Sequence, residues 1–550
     1  MPVSDKSPVC HQETGFFWFP GRESSKYVES QHQLPSYRRS NNLTAAGNAD
    51  AQTSNGSPNR VHSSQRRWLM RGLAVLIACM PFVLLEAGLR VAGKPAADES
   101  TDYDPVVDLH RLKPLFQFSA KTGEYYIPES RRNFFQPASF AAQKGSNTKR
   151  VFVLGGSTVQ GRPYAPETSF SSWLQLQLQA ADPSTKYEVV NCGGVSYASY
   201  RVARILDEVL RHQADAIVLY TGHNEFLEDR SYAEVRSFSP TRAWISRIGA
   251  SLHTVRWLQE ILFDQPRTRL PMEVDATLDH AGGLEKYHRD DQWRAGIQQH
   301  FDWTVQRMAE ATHRQGVPLI LCTPASDLVG TPPLKTELLK SLRESDLFAF
   351  ERNWQAAREA RLDPQQRLDA AKRCLQIDDR HAGAQFVAGR LLYEQGDRSA
   401  AKRHLAAARD FDVCPLRATS EMIQSVRTVA EQHQLPLLDT IALLDRRTHD
   451  GQRFPDQIPD PEFFIDHVHP TIAGHQAIGA ALAQQFVRLG WIKESPEVSR
   501  RYQTLAQQHL DRLGEAYYAR GKQRLEGLRR WTTGRAAELG IADDPNSERD

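Results

Sequence analysis

A doubly wound α/β domain on a parallel sheet is the architecture this 550-residue sequence predicts. Five short apolar runs, near residues 150–155, 187–192, 215–221, 317–323 and 435–439, alternate with segments whose apolar residues return at helical spacing. Strands that alternate with helices mark parallel βαβ units. Several of the runs end in small or polar residues, and in an open parallel sheet ligands bind beyond the carboxyl ends of the strands.

Composition sets the bounds. The length leaves room for two or more domains, and 40% hydrophobic with 24% charged residues is ordinary globular usage. With a net charge of +2 and basic residues scattered among acidic ones, the charges read as solvated faces, and nothing points to a nucleic-acid partner.

Taken in order, residues 1–66 are rich in Ser, Asn, Gln and Pro without periodicity and read as a disordered tail. Residues 67–90 hold an apolar run from Trp68 to Leu89, broken by Arg71, Pro81 and Glu86. It is long enough to cross a bilayer as a helix of ~20 residues, and we read it as a single membrane anchor. Arg60, Arg66, Arg67 and Arg71 stand on its amino side, while Asp98, Glu99, Asp102 and Asp104 follow. Because basic residues stay inside, the remainder belongs on the extracytoplasmic side. Three other readings stay open: a signal anchor starting at Met70, a lipoprotein box at Leu76-Ile77-Ala78-Cys79, and a buried core helix. No clear Ala-x-Ala site follows the run, which argues against a cleaved signal. Residues 91–147 form a linker or cap.

Residues 148–344 form the first part of the α/β core. Val151-Phe152-Val153-Leu154 runs into Gly155-Gly156-Ser157-Thr158, and helical patterns follow at Trp173 to Leu178 and Val202 to Leu210. A second strand ends in Asn191-Cys192-Gly193-Gly194-Val195-Ser196, and a third ends in Gly222-His223-Asn224-Glu225. Within this part, residues 226–312 are an insertion whose amphipathic stretch, Trp244 to Leu262, fits a lid, a helix packed on the sheet or a membrane-surface helix. Residues 345–412 are a second insertion with the small-and-large register of a tetratricopeptide-like repeat, an interaction module for a protein partner. Cys374 pairs with Ala408 at an offset of 34, although Ala370-Ala371-Lys372-Arg373 matches Ala400-Ala401-Lys402-Arg403 at 30. A plain helical hairpin is the alternative. Residues 413–492 complete the core, and 493–550 are a helical extension with no assigned role. The six cysteines show no metal-ligand spacing; Cys374 and Cys414 are the pair open to bridging.

The chemistry rests on Ser157 read against Asp466-His467-Val468-His469-Pro470. A serine hydroxyl becomes nucleophilic when a neutral imidazole takes its proton, and the imidazole needs a carboxylate to fix its tautomer. Asp466 and His469 stand three residues apart, close enough for one turn to hold both. The bland reading is that Asp466 caps the helix from Thr471 to Val487 and His469 lies on the surface. Asn224 and backbone N–H groups near the small residues are the donors an oxyanion requires.

These segments resemble the SGNH, or GDSL-like, hydrolase superfamily of esterases, lipases and carbohydrate deacetylases. Its blocks match Gly155-Gly156-Ser157, Gly222-His223-Asn224-Glu225 and Asp466 to Pro470, followed by Gly474-His475. The resemblance covers roughly residues 148–230 and 313–490, and it implies a flavodoxin-like, three-layer α/β/α fold with five strands. By resemblance Ser157 is the nucleophile, His469 the general base and acid, and Asp466 its partner. Ser157, Ser196 and Asn224 form the oxyanion hole, with Ser196 preferred over Gly194 where the family's second block departs. No metal or cofactor is implied. The expected function is a membrane-anchored serine esterase acting on an acylated carbohydrate, O-acetylated ones included, or a similar ester. An O-acyltransferase using the same residues and a non-catalytic scaffold are the other two readings.

Overall fold

The structure, a computed structural model, describes residues 61–91, 104, 106–108, 112–228, 254, 268–445 and 457–536. The tail up to residue 60, and all of the amphipathic stretch 244–262 except Thr254, lie outside the described residues. Helix α1, Val61–Val91, contains Pro81. Its Trp68–Gly88 segment, 21 residues at a mean hydropathy of 2.1, is long and apolar enough to cross a membrane.

The chain then forms β1 (Val107–Asp108) and a three-stranded antiparallel sheet of β2 (Gln117–Ser119), β3 (Glu124–Tyr126) and β4 (Ser139–Ala141). The stretch expected as a linker or cap is, over residues 112–147, a folded cover. Phe116 and Phe140 stack edge-on with each other and with Phe152 of the central sheet. The Glu208 carboxylate accepts from the Leu115 and Phe116 N–H groups at 2.6 and 2.8 Å.

The central sheet takes β5 (Thr148–Gly155), β6 (Lys186–Gly193), β7 (Ala216–Tyr220), β9 (Leu319–Cys322) and β10 (Leu437–Leu438), after the short β8 (Thr268–Arg269) has paired with β1. Spatial order is β10-β9-β7-β5-β6, all parallel. Counted by sequence this is 2-1-3-4-5, the doubly wound order of flavodoxin-like folds. Strand β7 and the carboxyl half of β5 are buried throughout, which is why they read as unbroken apolar runs rather than alternating ones.

Short α2 (Ser157–Gln160) follows β5, α3 (Phe170–Ala181) leads to β6, and α4 (Ser199–Val209) leads to β7. Helix α5 (Asp291–Arg314) precedes β9. Four consecutive helices, α6 (Glu344–Arg358), α7 (Pro364–Ile377), α8 (Ala382–Glu394) and α9 (Arg398–Asp410), make up the second insertion. The N-caps of α7 and α9, Asp363 and Asp397, stand 34 residues apart, whereas those of α6 and α8, Arg343 and His381, stand 38 apart, so neither offset holds for both helix pairs. Gly389 lets α8 and α9 close up, because a Cβ there would stand 2.9 Å from the Leu405 nitrogen.

Beyond the insertion come α10 (Ser420–Gln432), α11 (Thr440–Leu443), α12 (Ile472–Arg488), α13 (Pro496–Asp511) and α14 (Glu515–Ala536). Helices α3, α12 and α13 form one packed layer, and α4, α5 and α10 another. Cys374 and Cys414 are both free, contrary to the bridge left open above. They sit in different apolar clusters, and the Cys374 thiol instead donates to the Phe350 carbonyl at 3.8 Å.

Candidate active site

The site lies where the strand order reverses, between the carboxyl ends of β5 and β7. Strand β5 hands the chain directly to α2, so Ser157 becomes its first residue with Gly156 as the preceding cap. Glycine is required there by crowding. A Cβ on Gly156 would stand 2.6 Å from Asn224 Nδ2, and one on Gly155 would stand 2.0 Å from the Tyr220 carbonyl oxygen.

Ser157 Oγ lies 2.7 Å from His469 Nε2, and His469 Nδ1 lies 2.7 Å from Asp466 Oδ2. Asp466 also accepts from the Val468 and His469 N–H groups at 3.0 and 2.9 Å through Oδ1. Burial opposes its charge, but His469, His467 and these hydrogen bonds outweigh burial and hold the carboxyl below the usual range. An ionised carboxylate only accepts, so Nδ1 of His469 carries a proton. In the neutral ring Nε2 is then free to accept from the serine hydroxyl. The bland reading does not hold, because Thr471 caps α12 by accepting from the Gly474 N–H and His469 is buried.

The backbone and side-chain donors of the turns around Ser157 differ in how far they are spent. Gly194 N–H is committed to the Gly155 carbonyl at 3.0 Å and Val195 N–H to Phe134 at 2.9 Å. Neither Ser157 N–H nor Ser196 N–H donates to any acceptor among the described residues. Ser196 achieves this in a left-handed conformation, φ 60°. Asn224 Nδ2 spends one hydrogen on the Tyr197 carbonyl at 3.0 Å, which fixes the amide and leaves the other hydrogen free. Next to it, Glu225 accepts from the N–H and hydroxyl of Ser199, both at 2.8 Å. That contact moors the loop to the start of α4.

Several contributors carried no signal of their own in the sequence. Thr158 Oγ1 donates to the Val468 carbonyl at 3.4 Å, stitching the serine turn to the histidine turn. His467 C=O accepts from Asp327 N–H at 3.0 Å, and the Asp327 carbonyl in turn accepts from buried Arg417 at 2.9 Å. His223, inside the Gly-His-Asn-Glu run, accepts at Nδ1 from Ala418 N–H at 3.2 Å. Its pKa sits well below the ordinary value because of burial, reinforced by His467 and His469. Burial likewise pushes His467 down to about 4, against the pull of Asp466. Arg417 and Ala418 come from the segment leaving the helical insertion, whose place in space no local spacing announces. Ser157, Thr158, Thr221, His223 and Asn224 line a cleft. Among the described residues no cluster of side chains suits a metal ion.

No family model and no curated protein matches the chain. Solved structures with a similar course include a lipase/acylhydrolase from Enterococcus faecalis, 12% identical over 63% of this chain and 98% of that one, TM-score 0.28. A GDSL-like lipase from Bacteroides thetaiotaomicron is 10% identical over 62% and 89%, TM-score 0.26. An acetylxylan esterase from Geobacillus stearothermophilus is 14% identical over 64% and 99%, TM-score 0.26. Any assignment of chemistry to this chain therefore stands on its own geometry.

Proposed function

We propose that the protein is a serine ester hydrolase of the SGNH type that works through an acyl-enzyme. The observation that carries the reading is the unbroken chain Ser157 Oγ to His469 Nε2 to Asp466, 2.7 Å at each step, beside unspent donors. His469 takes the hydroxyl proton as Ser157 Oγ bonds to the ester carbonyl carbon. The oxyanion is held by the Ser157 and Ser196 N–H groups and Asn224. The C–O bond to the alcohol breaks as His469 returns the proton to it. Water, deprotonated by the same imidazole, then attacks the acyl-serine, releases the acid and restores Ser157.

An O-acetylated carbohydrate is the substrate class that fits this reading. Helix α1 serves as the membrane anchor, and the charge asymmetry around it supports catalysis on the extracytoplasmic side. The four helices α6 to α9 act as a tetratricopeptide-like surface for a protein partner.

The test uses the full chain in detergent with 4-nitrophenyl acetate. The wild type releases nitrophenol and yields an acetylated Ser157 peptide by mass spectrometry after rapid acid quench, and Ser157→Ala does neither. Equal background rates for both proteins would refute the esterase.

A further inference from the structure

The loop that follows the nucleophile carries a cation, Arg162, with no ion pair of its own among the described residues. Arg162 N–H donates to the Ser157 carbonyl at 3.2 Å, so its Cα is held one turn from the reactive serine. The side chain is half-buried, and among the described residues its guanidinium has no hydrogen bond or ion pair. Two charges act on it: burial first, then the like charge of Arg524, depress its pKa, while Asp466 favours the cation. Asp466 is already committed to His469. Arg524 comes from α14 and is equally without a carboxylate; its Nη1 donates to the Tyr164 carbonyl at 2.8 Å.

The approach of α14 is a built contact. Tyr164 lies nearly parallel to Tyr517, ring centroids 5.9 Å apart at 12°, and edge-on to Tyr518 at 6.2 Å. A Cβ on Gly521 would stand 2.1 Å from the Tyr164 ring, so the helix backbone lies against the aromatic face. Tyr517 Oη lies 2.8 Å from Thr168 Oγ1 and donates to the Ala165 carbonyl at 3.2 Å. The fold thus spends specific contacts to bring the Arg524 guanidinium to the Tyr164 carbonyl, two residues along the chain from Arg162, whose own N–H is bound to the Ser157 carbonyl. Two neighbouring guanidinium groups repel, and a carboxylate or phosphate accepting from both relieves that repulsion through charge-assisted hydrogen bonds.

We propose that Arg162 and Arg524 form an anion-binding subsite for the alcohol portion of the substrate, so that the ester turned over carries a carboxylate or a phosphate. The inference rests on the esterase reading and narrows it to anionic esters. Helix α14 becomes part of substrate recognition through the Tyr164 stack.

Paired probes test it on the full chain: 4-acetoxybenzoate and 4-acetoxyphenyl phosphate against the neutral methyl 4-acetoxybenzoate. The wild type prefers at least one anionic ester by kcat/KM, and added salt erodes that preference. In Arg162→Gln and Arg524→Gln the anionic-to-neutral ratio falls by on the order of ten- to a hundredfold, the worth of a charged hydrogen bond. Because a ratio is read, a general loss of folded enzyme cancels. Equilibrium binding of the intact anionic esters to Ser157→Ala, with and without R162Q, needs no turnover; R162Q weakens it. If none of the esters is cleaved yet binding depends on Arg162, the esterase reading falls and the subsite stands. No preference by the wild type for either anion, or a ratio and binding indifferent to both arginines, overturns the subsite.

Discussion

At the residue scale the oxyanion donors make the sharpest claims. Asn224 has one amide hydrogen held by Tyr197 and one unspent, so Asn224→Ala removes a pre-aimed donor without disturbing Ser157. A drop in kcat on the order of 10²–10³ with KM little changed is expected; an unaltered kcat for 4-nitrophenyl acetate would exclude this side chain from the hole. Ser196 is the opposite case, because its backbone N–H rather than its hydroxyl is the proposed donor. Its φ of 60° costs a side-chain-bearing residue roughly 1–2 kcal/mol, which glycine avoids. Ser196→Gly should therefore keep its kcat and lose no stability, and a serine hydroxyl essential to catalysis would show as a large loss. Asp466→Asn tests tautomer control. It leaves an amide where the carboxylate stood, so kcat should fall on the order of 10⁴-fold while the thermal midpoint moves little. The residues proposed to react were legible because each sits in a short, type-specific run. Arg417, Ala418 and Thr158 were not, since their contributions are contacts with segments far away in sequence.

The same division appears among the elements. Strand positions were readable because strands buried on both faces concentrate apolar β-formers, and the 2-1-3-4-5 order followed from family resemblance rather than from the runs themselves. The cover of β2, β3 and β4 escaped notice because its strands are three residues each, too short to show a period. Helix α12 carries the histidine turn at its amino end, and its placement depends on one glycine. A Cβ on Gly479 would stand 2.6 Å from Trp173 Cβ and 3.1 Å from the Phe170 carbonyl, atoms that move only with α3 itself. Overpacking of about 1–3 kcal/mol should outweigh the roughly 1 kcal/mol that alanine gains in a helix. Gly479→Ala should lower the melting temperature and slow turnover together. Gly527, on α14 with open space around it, is the control, where alanine should stabilise or change nothing. Equal behaviour of the two variants in thermal melts would remove the packing argument.

For the whole molecule, the buried histidines set the response to acid. His467 is pushed down to about 4 and His475 to about 3, in both cases chiefly by burial. His381, wedged among Phe350 and Trp354 in the helical insertion, is pushed down to about 4, again by burial first. His223 is lowered as well. Unfolded, each takes up a proton near pH ~6.5; folded, each resists until the pH is far lower. The unfolded chain therefore binds more protons between those limits. Stability that is complete above the unfolded value is lost as pH falls, by roughly 1.4 kcal/mol per histidine per pH unit. Asp412 works in the other direction. Burial raises it to about 6, so it stabilises the fold as pH drops below that value, and Asp327 and Glu208, also raised by burial, act in the same sense; the four histidines still outnumber these carboxyls. The melting temperature should consequently fall steeply from pH ~6.5 toward 4.5. His475→Gln checks the cause, because the glutamine oxygen can replace Nδ1 as acceptor for the Phe170 N–H, which lies 3.3 Å away, yet does not titrate. Its profile should be shallower than that of the wild type by one proton's worth of slope. A melting temperature that stays level or rises on acidification would show that these imidazoles are charged in the folded protein.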